Sequence, residues 1–263
     1  MIVAAGCAPQ PAPQGTSDGI GAPALIEGDV LDVADGDTFT LGAAEGEVRI
    51  RLLGINAPER DECLHDEAAA ELASYLGAGE MRVEDHGRDQ FGRSLGYVWV
   101  GETFVNLALV EAGLVFATTP GEGETQGASL LSAEAAAVRT ETGLWDPASC
   151  NGGSATGLEL AIDVSGHDPP GPDDEVLEQE HVRVVNHGGG IADLSGWILR
   201  DESSLHRFRF PDGSIIDPGG DFDVPSTHPG WEPGGSPVWN NEGDMALLLT
   251  PEGGVVVRER YRP

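Results

Sequence analysis

Residues 146–157, DPASCNGGSATG, separate two stretches of chain whose hydrophobic patterns differ in kind. Gly, Ser, Asn and Pro cluster there as they do in loops. Before this stretch, strand-like runs (LIEGDVLDV, DTFTL, EVRIRLLGI, EMRVED, SLGYVWV) mix with helix-like runs at 66–79, 105–114 and 129–145. In the first helical run Ala69, Leu72, Ala73 and Leu76 recur at helical spacing, and Gly77 and Gly79 supply a stop. After it every run is strand and turn, with Trp197, Trp231 and Trp239 available to fill a core. A chain of 263 residues has room for two such cores. The expected order is therefore an α+β domain, a small five-stranded barrel flanked by three helices, and then an all-β sandwich. The expected bounds are a tether at 1–23, the first domain at 24–150, a linker at 151–156 and the sandwich at 157–263.

The formal net charge is −31 and all fourteen basic residues are arginine, with no lysine. Such acidity favours solubility in high salt, or reflects a lysine-poor genome; it speaks to neither fold nor chemistry. It opposes a polyanionic partner at long range. Screening nevertheless shortens the reach of charge to about 8 Å at ~0.15 M salt, so a few well-placed arginines can still act locally. Weak dependence on long-range steering is expected.

The N-terminus, MIVAAGCAPQPAPQGTSDGIGAP, ends a short apolar run in Ala4-Ala5-Gly6-Cys7. It looks like the tail of a lipoprotein signal, with Cys7 acylated and residues 8–23 serving as a flexible tether, although no basic n-region precedes it. That predicts export to the cell surface, with membrane contact only through the lipid. Cys63 and Cys150 remain, and in an exported chain two cysteines suggest a disulfide.

Asp35-Gly36-Asp37 is by itself a favoured hairpin turn that needs no ligand. Its company changes the weighting. RIRLLGINAPER supplies Arg51, Asn56, Pro58 and Glu59, and GRDQFGRSLGYVWV supplies Arg93. An arginine within so apolar a run needs an anion, because a buried unpaired guanidinium is costly. Phosphodiester hydrolysis needs this kind of set: hard oxygen donors for a cation such as calcium, a carboxylate to take a proton from water, and guanidinium forks for phosphate oxygens. Each residue also has a bland role: Glu59 as a loop charge beside Arg60, Arg93 closing a hairpin, Arg51 paired with Asp35.

DGDT, RLLGINAPE, DQFGRSLGYVWV, VNLALVEAGL and AEAAAVRTETGLW, in that order, resemble the thermonucleases of the staphylococcal nuclease family over roughly residues 25–146. The resemblance implies an OB-type barrel with three helices. It also implies calcium-dependent cleavage of DNA and RNA to 5′-hydroxyl and 3′-phosphate ends. By matching motif, Asp37 is a calcium ligand next to Thr38, Asp35 supports the metal site, Glu59 is the general base, and Arg51 and Arg93 bind phosphate. Two positions depart: Asn56 stands where the best-known members carry a second carboxylate, followed by Ala57 in place of threonine. An amide oxygen and a backbone carbonyl can serve there, with one charge fewer for the metal. Gln90-Phe91 replaces a basic residue and Tyr.

LSGWILRDESSLHRFRFPDGSIIDPGG and PVWNNEGDMALLLTPEGGVV resemble the lamin-tail domain over residues 157–263, which implies an immunoglobulin-like sandwich rather than an activity. Its His167, His181, His187, His206 and His228 lack ligand spacing, and DDEVLEQE at 173–180 reads as a solvated loop. A surface polymer, DNA or a protein are candidate partners for it. The rival to the enzyme is a non-catalytic nucleic-acid binder or adhesion protein with a degenerate barrel, for which Glu59 and two arginines have no use.

Overall fold

The computed structural model describes residues 23–121, 124–150, 155, 157–171, 176–203, 206–232, 234, 237–241 and 243–261. Cys7 with the rest of residues 1–22, and residues 173–175 of the acidic run, lie outside the described residues.

The first expected strand is broken. β1 (Ala24–Ile26) and β2 (Asp29–Val33) flank Gly28, where a Cβ would meet the Gly42 carbonyl oxygen at 2.7 Å. Only glycine permits that approach, and the break sends the two pieces to opposite edges of one sheet. β3 (Thr38–Ala43), β4 (Gly46–Leu52) and the short β5 (Ile55–Asn56) follow, then helix α1 (His65–Leu76). Next come β6 (Met81–Arg88), β7 (Ser94–Val100), β8 (Thr103–Phe104), α2 (Val105–Glu111), β9 (Phe116–Ala117) and α3 (Gly127–Arg139). The sheet order is β1-β6-β7-β4-β3-β2, with β8 against β7 and β5 paired separately to β9. Because β1 and β2 are consecutive yet lie at its two edges, the sheet curls into an OB-type barrel. Phe39, Leu41, Ile50, Val83 and Val98 fill it, and α1 covers it with Ala68, Leu72 and Leu76.

The second domain runs β10 (Leu160–Asp163), β11 (His181–Asn186), β12 (Ala192–Asp193), β13 (Ile198–Arg200), β14 (Arg207–Arg209), β15 (Ile215–Ile216), β16 (Asp221–Pro225), β17 (Trp231–Glu232), β18 (Asp244–Leu249) and β19 (Val255–Tyr261). A three-stranded sheet, β10-β11-β16, faces a five-stranded one, β17-β14-β13-β18-β19, across a core that holds Trp197, Trp231 and Trp239. This is the immunoglobulin-like sandwich.

β18 is buried at every position, as is β13. Leu199, Ala246 and Leu248 point into the sandwich core. Ile198, Met245, Leu247 and Leu249 point the other way and pack on Phe116 and Leu144 of the first domain. At roughly 1.5–3 kcal/mol for each such side chain buried, this second core docks the domains firmly. Cys63 pairs with Cys150, so the chain leaving the barrel is tied back beside it (Cα–Cα 5.6 Å).

Around the apolar patch the contact is ionic. Arg207 meets Asp61 at 2.8 Å and Glu62 at 3.4 Å, Arg209 meets Asp61 at 3.1 Å, and Arg258 and Arg260 meet Glu134 of α3 at 3.1 and 3.2 Å. Arg200 is fully buried, 3.5 Å from Glu62 and with its guanidinium 4.7 Å from the centre of the Phe116 ring. Truncating one partner of a buried pair strands the other charge. Glu62→Ala is therefore expected to destabilise the protein by about 3–5 kcal/mol. Arg200→Met should cost less, because Arg207 still pairs with Glu62. Calorimetric unfolding of both variants checks the ordering, and equal losses would contradict it.

Candidate active site

The turn between β2 and β3 carries Asp35 and Asp37. The glycine between them is required by space: a Cβ on Gly36 would lie 2.5 Å from the Ala68 Cβ of α1 and 3.1 Å from that of Ala57. The turn is thus a hairpin turn, as its sequence alone suggested, and is also pressed into the junction of barrel and helix. Asp35 Oδ1 accepts the Asp37 N–H at 3.0 Å. Asp37, only 5% exposed, accepts the Thr38 hydroxyl at 2.8 Å and the Ala57 N–H at 2.6 Å, and pairs with Arg51 at 3.1 Å.

Arg51 lies opposite Thr38 across the β3–β4 ladder. Its Nη1 donates to the carbonyls of Leu52 (2.9 Å) and Ile55 (2.7 Å), and its Nη2 to Asn56 Oδ1 at 2.6 Å. The bland reading paired Arg51 with Asp35; the structure instead joins it directly to Asp37 and Asn56. Arg93 comes from the β6–β7 turn, where Asp89 accepts its N–H at 2.9 Å and its Nε at 2.6 Å. Slight burial disfavours the Asp89 charge, but the Arg93 bonds outweigh it and hold its pKa below the usual range. Phe91 is 64% exposed beside Arg93, whose guanidinium sits 5.5 Å from the ring centre. Glu59 stands exposed on the loop from β5 to α1, its N–H bonded to Glu62 Oε2 at 3.0 Å.

All seven predicted site residues, Asp35, Asp37, Arg51, Asn56, Ala57, Glu59 and Arg93, line a single cavity of about 360 Å³. Residues up to 58 positions apart in sequence have converged. Burial first, and then Asp37, raise the Asp35 pKa to about 6, so two carboxylates are crowded into a half-buried space. Such crowding, with amide and backbone oxygens nearby and no sulfur, fits a hard oxygen-seeking cation. Among the described residues no group of three or more His, Cys, Asp or Glu is arranged to hold a metal.

Comparison with known proteins agrees with this geometry. Residues 49–147 match the family described as Staphylococcal nuclease homologue, and residues 154–262 match the Lamin Tail Domain. Protein ParB of Escherichia coli is 31% identical over 134 residues, 47% of this chain and 75% of that protein. The micrococcal nuclease of Shigella flexneri is 30% identical over 132 residues, 46% and 75% of the two chains. The thermonuclease of Staphylococcus intermedius is 26% identical over 125 residues, covering 44% and 74%. The chain belongs to the staphylococcal nuclease family. In this nuclease the matched family segment begins at residue 49, after the Asp35–Asp37 turn, which the fold itself brings to the cavity.

Sequence reasoning missed what the lamin-tail domain brings here. Ser203 lines the same cavity, and the Glu202 carbonyl accepts Asn56 Nδ2 at 3.1 Å. The available signal was the unbroken apolar run in MALLL, which marks a strand covered on both faces. The reading of residues 173–180 as a solvated loop needs correction at its end: Glu180 is 3% exposed, accepting the Ser226 hydroxyl and the Val238 N–H (3.0 Å). The Trp239 N–H also donates to it at 3.4 Å, so that carboxylate ties two loops of the sandwich together and does not face a cation in solution.

Behind Glu202 lies a buried acidic group. Asp244 is fully buried; desolvation, then Asp201 and Glu202, raise its pKa to about 7 against hydrogen bonds from Asn240 and Met245 that lower it. His206 bonds Asp201 at 2.8 Å, and that bond raises its pKa. The folded state thus holds a proton on Asp244 that the unfolded chain has released above about pH 4. The stability this proton provides is lost as pH climbs toward 7, on the order of a few kcal/mol. Asp244→Asn lacks that dependence, so its Tm relative to the parent should improve from pH 5 to about pH 7 and level off above it. A difference flat with pH would show that Asp244 titrates normally.

Proposed function

We propose that this nuclease hydrolyses phosphodiester bonds of both DNA and RNA, with calcium as cofactor, leaving 5′-hydroxyl and 3′-phosphate ends. The supporting observation is the convergence of Asp35, Asp37, Arg51, Asn56, Glu59 and Arg93 on one cavity. Asp37, the Asn56 amide oxygen and the Ala57 carbonyl would hold calcium, with Asp35 adding charge beside them. When bound, the ion supplies positive charge against the scissile phosphate.

Glu59, on the open wall, takes a proton from the attacking water. The water oxygen bonds to phosphorus and the bond to the 5′ oxygen breaks, that oxygen taking up a proton from solvent as it leaves as the 5′-hydroxyl. Arg51 and Arg93 bind the non-bridging oxygens and meet the charge that grows on them. Both are preorganised: two backbone carbonyls hold Arg51, and Asp89 holds the Nε edge of Arg93. The exposed Phe91 ring offers a face for a base at the cavity rim.

We further place the enzyme outside the cytoplasm, tethered through an acylated Cys7. The Cys63–Cys150 pair supports an oxidising compartment, and no helix among the described residues is long and apolar enough to cross a membrane. Surface polymers, DNA or a protein partner remain the candidates for the outer face of the sandwich.

Digestion of single- and double-stranded DNA and of RNA, with calcium or with chelator, tests the reaction. Glu59→Gln should lower kcat by about 10²–10⁴-fold with little change in KM. Cleavage that persists under chelation, or an undiminished Glu59→Gln enzyme, would overturn the mechanism.

A further inference from the structure

Among the described residues, two contacts from the sandwich reach residues of the proposed machinery. At the first, the Glu202 carbonyl accepts Asn56 Nδ2 at 3.1 Å while Asn56 Oδ1 accepts Arg51 Nη2 at 2.6 Å. These bonds define which way the amide faces. Flipped, it would set oxygen against the carbonyl and NH₂ against a guanidinium. The Glu202 carbonyl is itself fixed from both domains. Its side chain accepts the Thr119 N–H (2.8 Å), the Thr119 hydroxyl (2.9 Å) and Arg260 Nη1 (2.9 Å), and its own N–H donates to Asp244 Oδ1 at 3.2 Å. At the second point, Glu62 Oε2 accepts the Glu59 N–H at 3.0 Å, and the Glu62 N–H closes the turn onto the Glu59 carbonyl at 2.8 Å. Arg200 and Arg207 of the sandwich hold that Glu62 carboxylate at 3.5 and 3.4 Å.

We propose that the lamin-tail domain is a positioning element of the nuclease site: the Glu202 carbonyl sets the Asn56 amide, and Arg200 and Arg207, through Glu62, set the turn that carries Glu59. The inference rests on the nuclease reading above. It also gives a physical reason for an amide at position 56. A carboxylate there would have no proton to offer the Glu202 carbonyl and would meet it as oxygen against oxygen. The docked sandwich selects asparagine, at the loss of one charge near the metal.

The test uses the full chain with calcium and a DNA substrate, comparing the parent with Glu202→Ala and Glu202→Gln. The Asn56 side-chain amide signals in a ¹⁵N NMR spectrum, assigned by their loss in Asn56→Asp, give a readout independent of turnover. Glu202→Ala frees the loop from Thr119 and Arg260. It should lower kcat about tenfold or more through misplacement of reacting groups, leave KM within about threefold, and shift the Asn56 amide signals. Glu202→Gln keeps an acceptor for Thr119 and should restore most of both. A folded Glu202→Ala enzyme with parental kcat, or one that loses kcat while the amide signals stay put, overturns the proposal.

Should Glu202→Ala fail to fold, Arg207→Gln decides, because it frees Glu62 from the partly exposed side and spares the buried junction. A kcat about threefold lower or more at unchanged Tm supports positioning, and parental kcat overturns it. An inactive parent would sink the nuclease reading alone, since the amide signals still report whether Glu202 orients Asn56.

Discussion

A guanidinium taken out of water is costly unless acceptors or anions meet it, and the cavity is built around one that is met in this way. Arg51, with its side chain 14% exposed, is met by two backbone carbonyls, Asp37 and Asn56. Those four acceptors come from the β2–β3 turn, the end of β4 and β5. One side chain therefore ties together three stretches of chain that would otherwise be free to move apart. The cavity exists because they are tied. The domain junction meets that cost differently: Arg200 has no exposed surface and no hydrogen-bond partner for its guanidinium nitrogens among the described residues, and rests on the Glu62 charge at 3.5 Å and on the Phe116 ring.

Each of these arginine sites is linked to the other domain through a short polar path. Asn56 bridges Arg51 to the Glu202 carbonyl, and Glu62 bridges Arg200 to the Glu59 backbone. Neither path exceeds two side chains. Rigid transmission over so few bonds needs only a well-packed junction, which the Ile198, Met245, Leu247, Leu249, Phe116 and Leu144 cluster supplies. Disulfide, apolar patch and ion pairs fall on the same side of the barrel. The sandwich is therefore held as part of the wall and not as a module swinging on a linker.

Much of the fold could be read from the sequence because local pattern and tertiary role agreed. The 3.6-residue period in α1 and the alternation in β11 each have one buried face, so period and burial coincide. The site was legible for a different reason: Asp, Arg and Glu in apolar surroundings are costly unless used, and all the predicted site residues reached one cavity. What escaped was long-range in origin. Glu202 acts through a backbone carbonyl, which carries no residue signature, and its proximity to Asn56 spans 146 positions. Glu180 looked solvated because its neighbours are acidic, yet three donors far along the chain, from the loops after β16 and before β18, enclose it. The break at Gly28 escaped too, because the backbone that crowds it belongs to Gly42 on the next strand but one.

Charge placement follows from the same accounting of acceptors. In a chain of net charge −31, acidic residues outnumber the fourteen arginines by 45 to 14. Arg200, Arg207, Arg209, Arg258 and Arg260 are committed to the junction, where Asp61, Glu62, Glu134 and Glu202 neutralise them. They contribute little attraction for a polyanion. Of the cations at the cavity, Arg51 and Arg93 are each partly neutralised by a neighbouring aspartate. The field that draws substrate must then be short-ranged and confined to the cavity, which is workable where screening limits repulsion from the acidic surface to about 8 Å or less. A second domain that holds Asn56 and Glu59 in place contributes more than additional basic surface would.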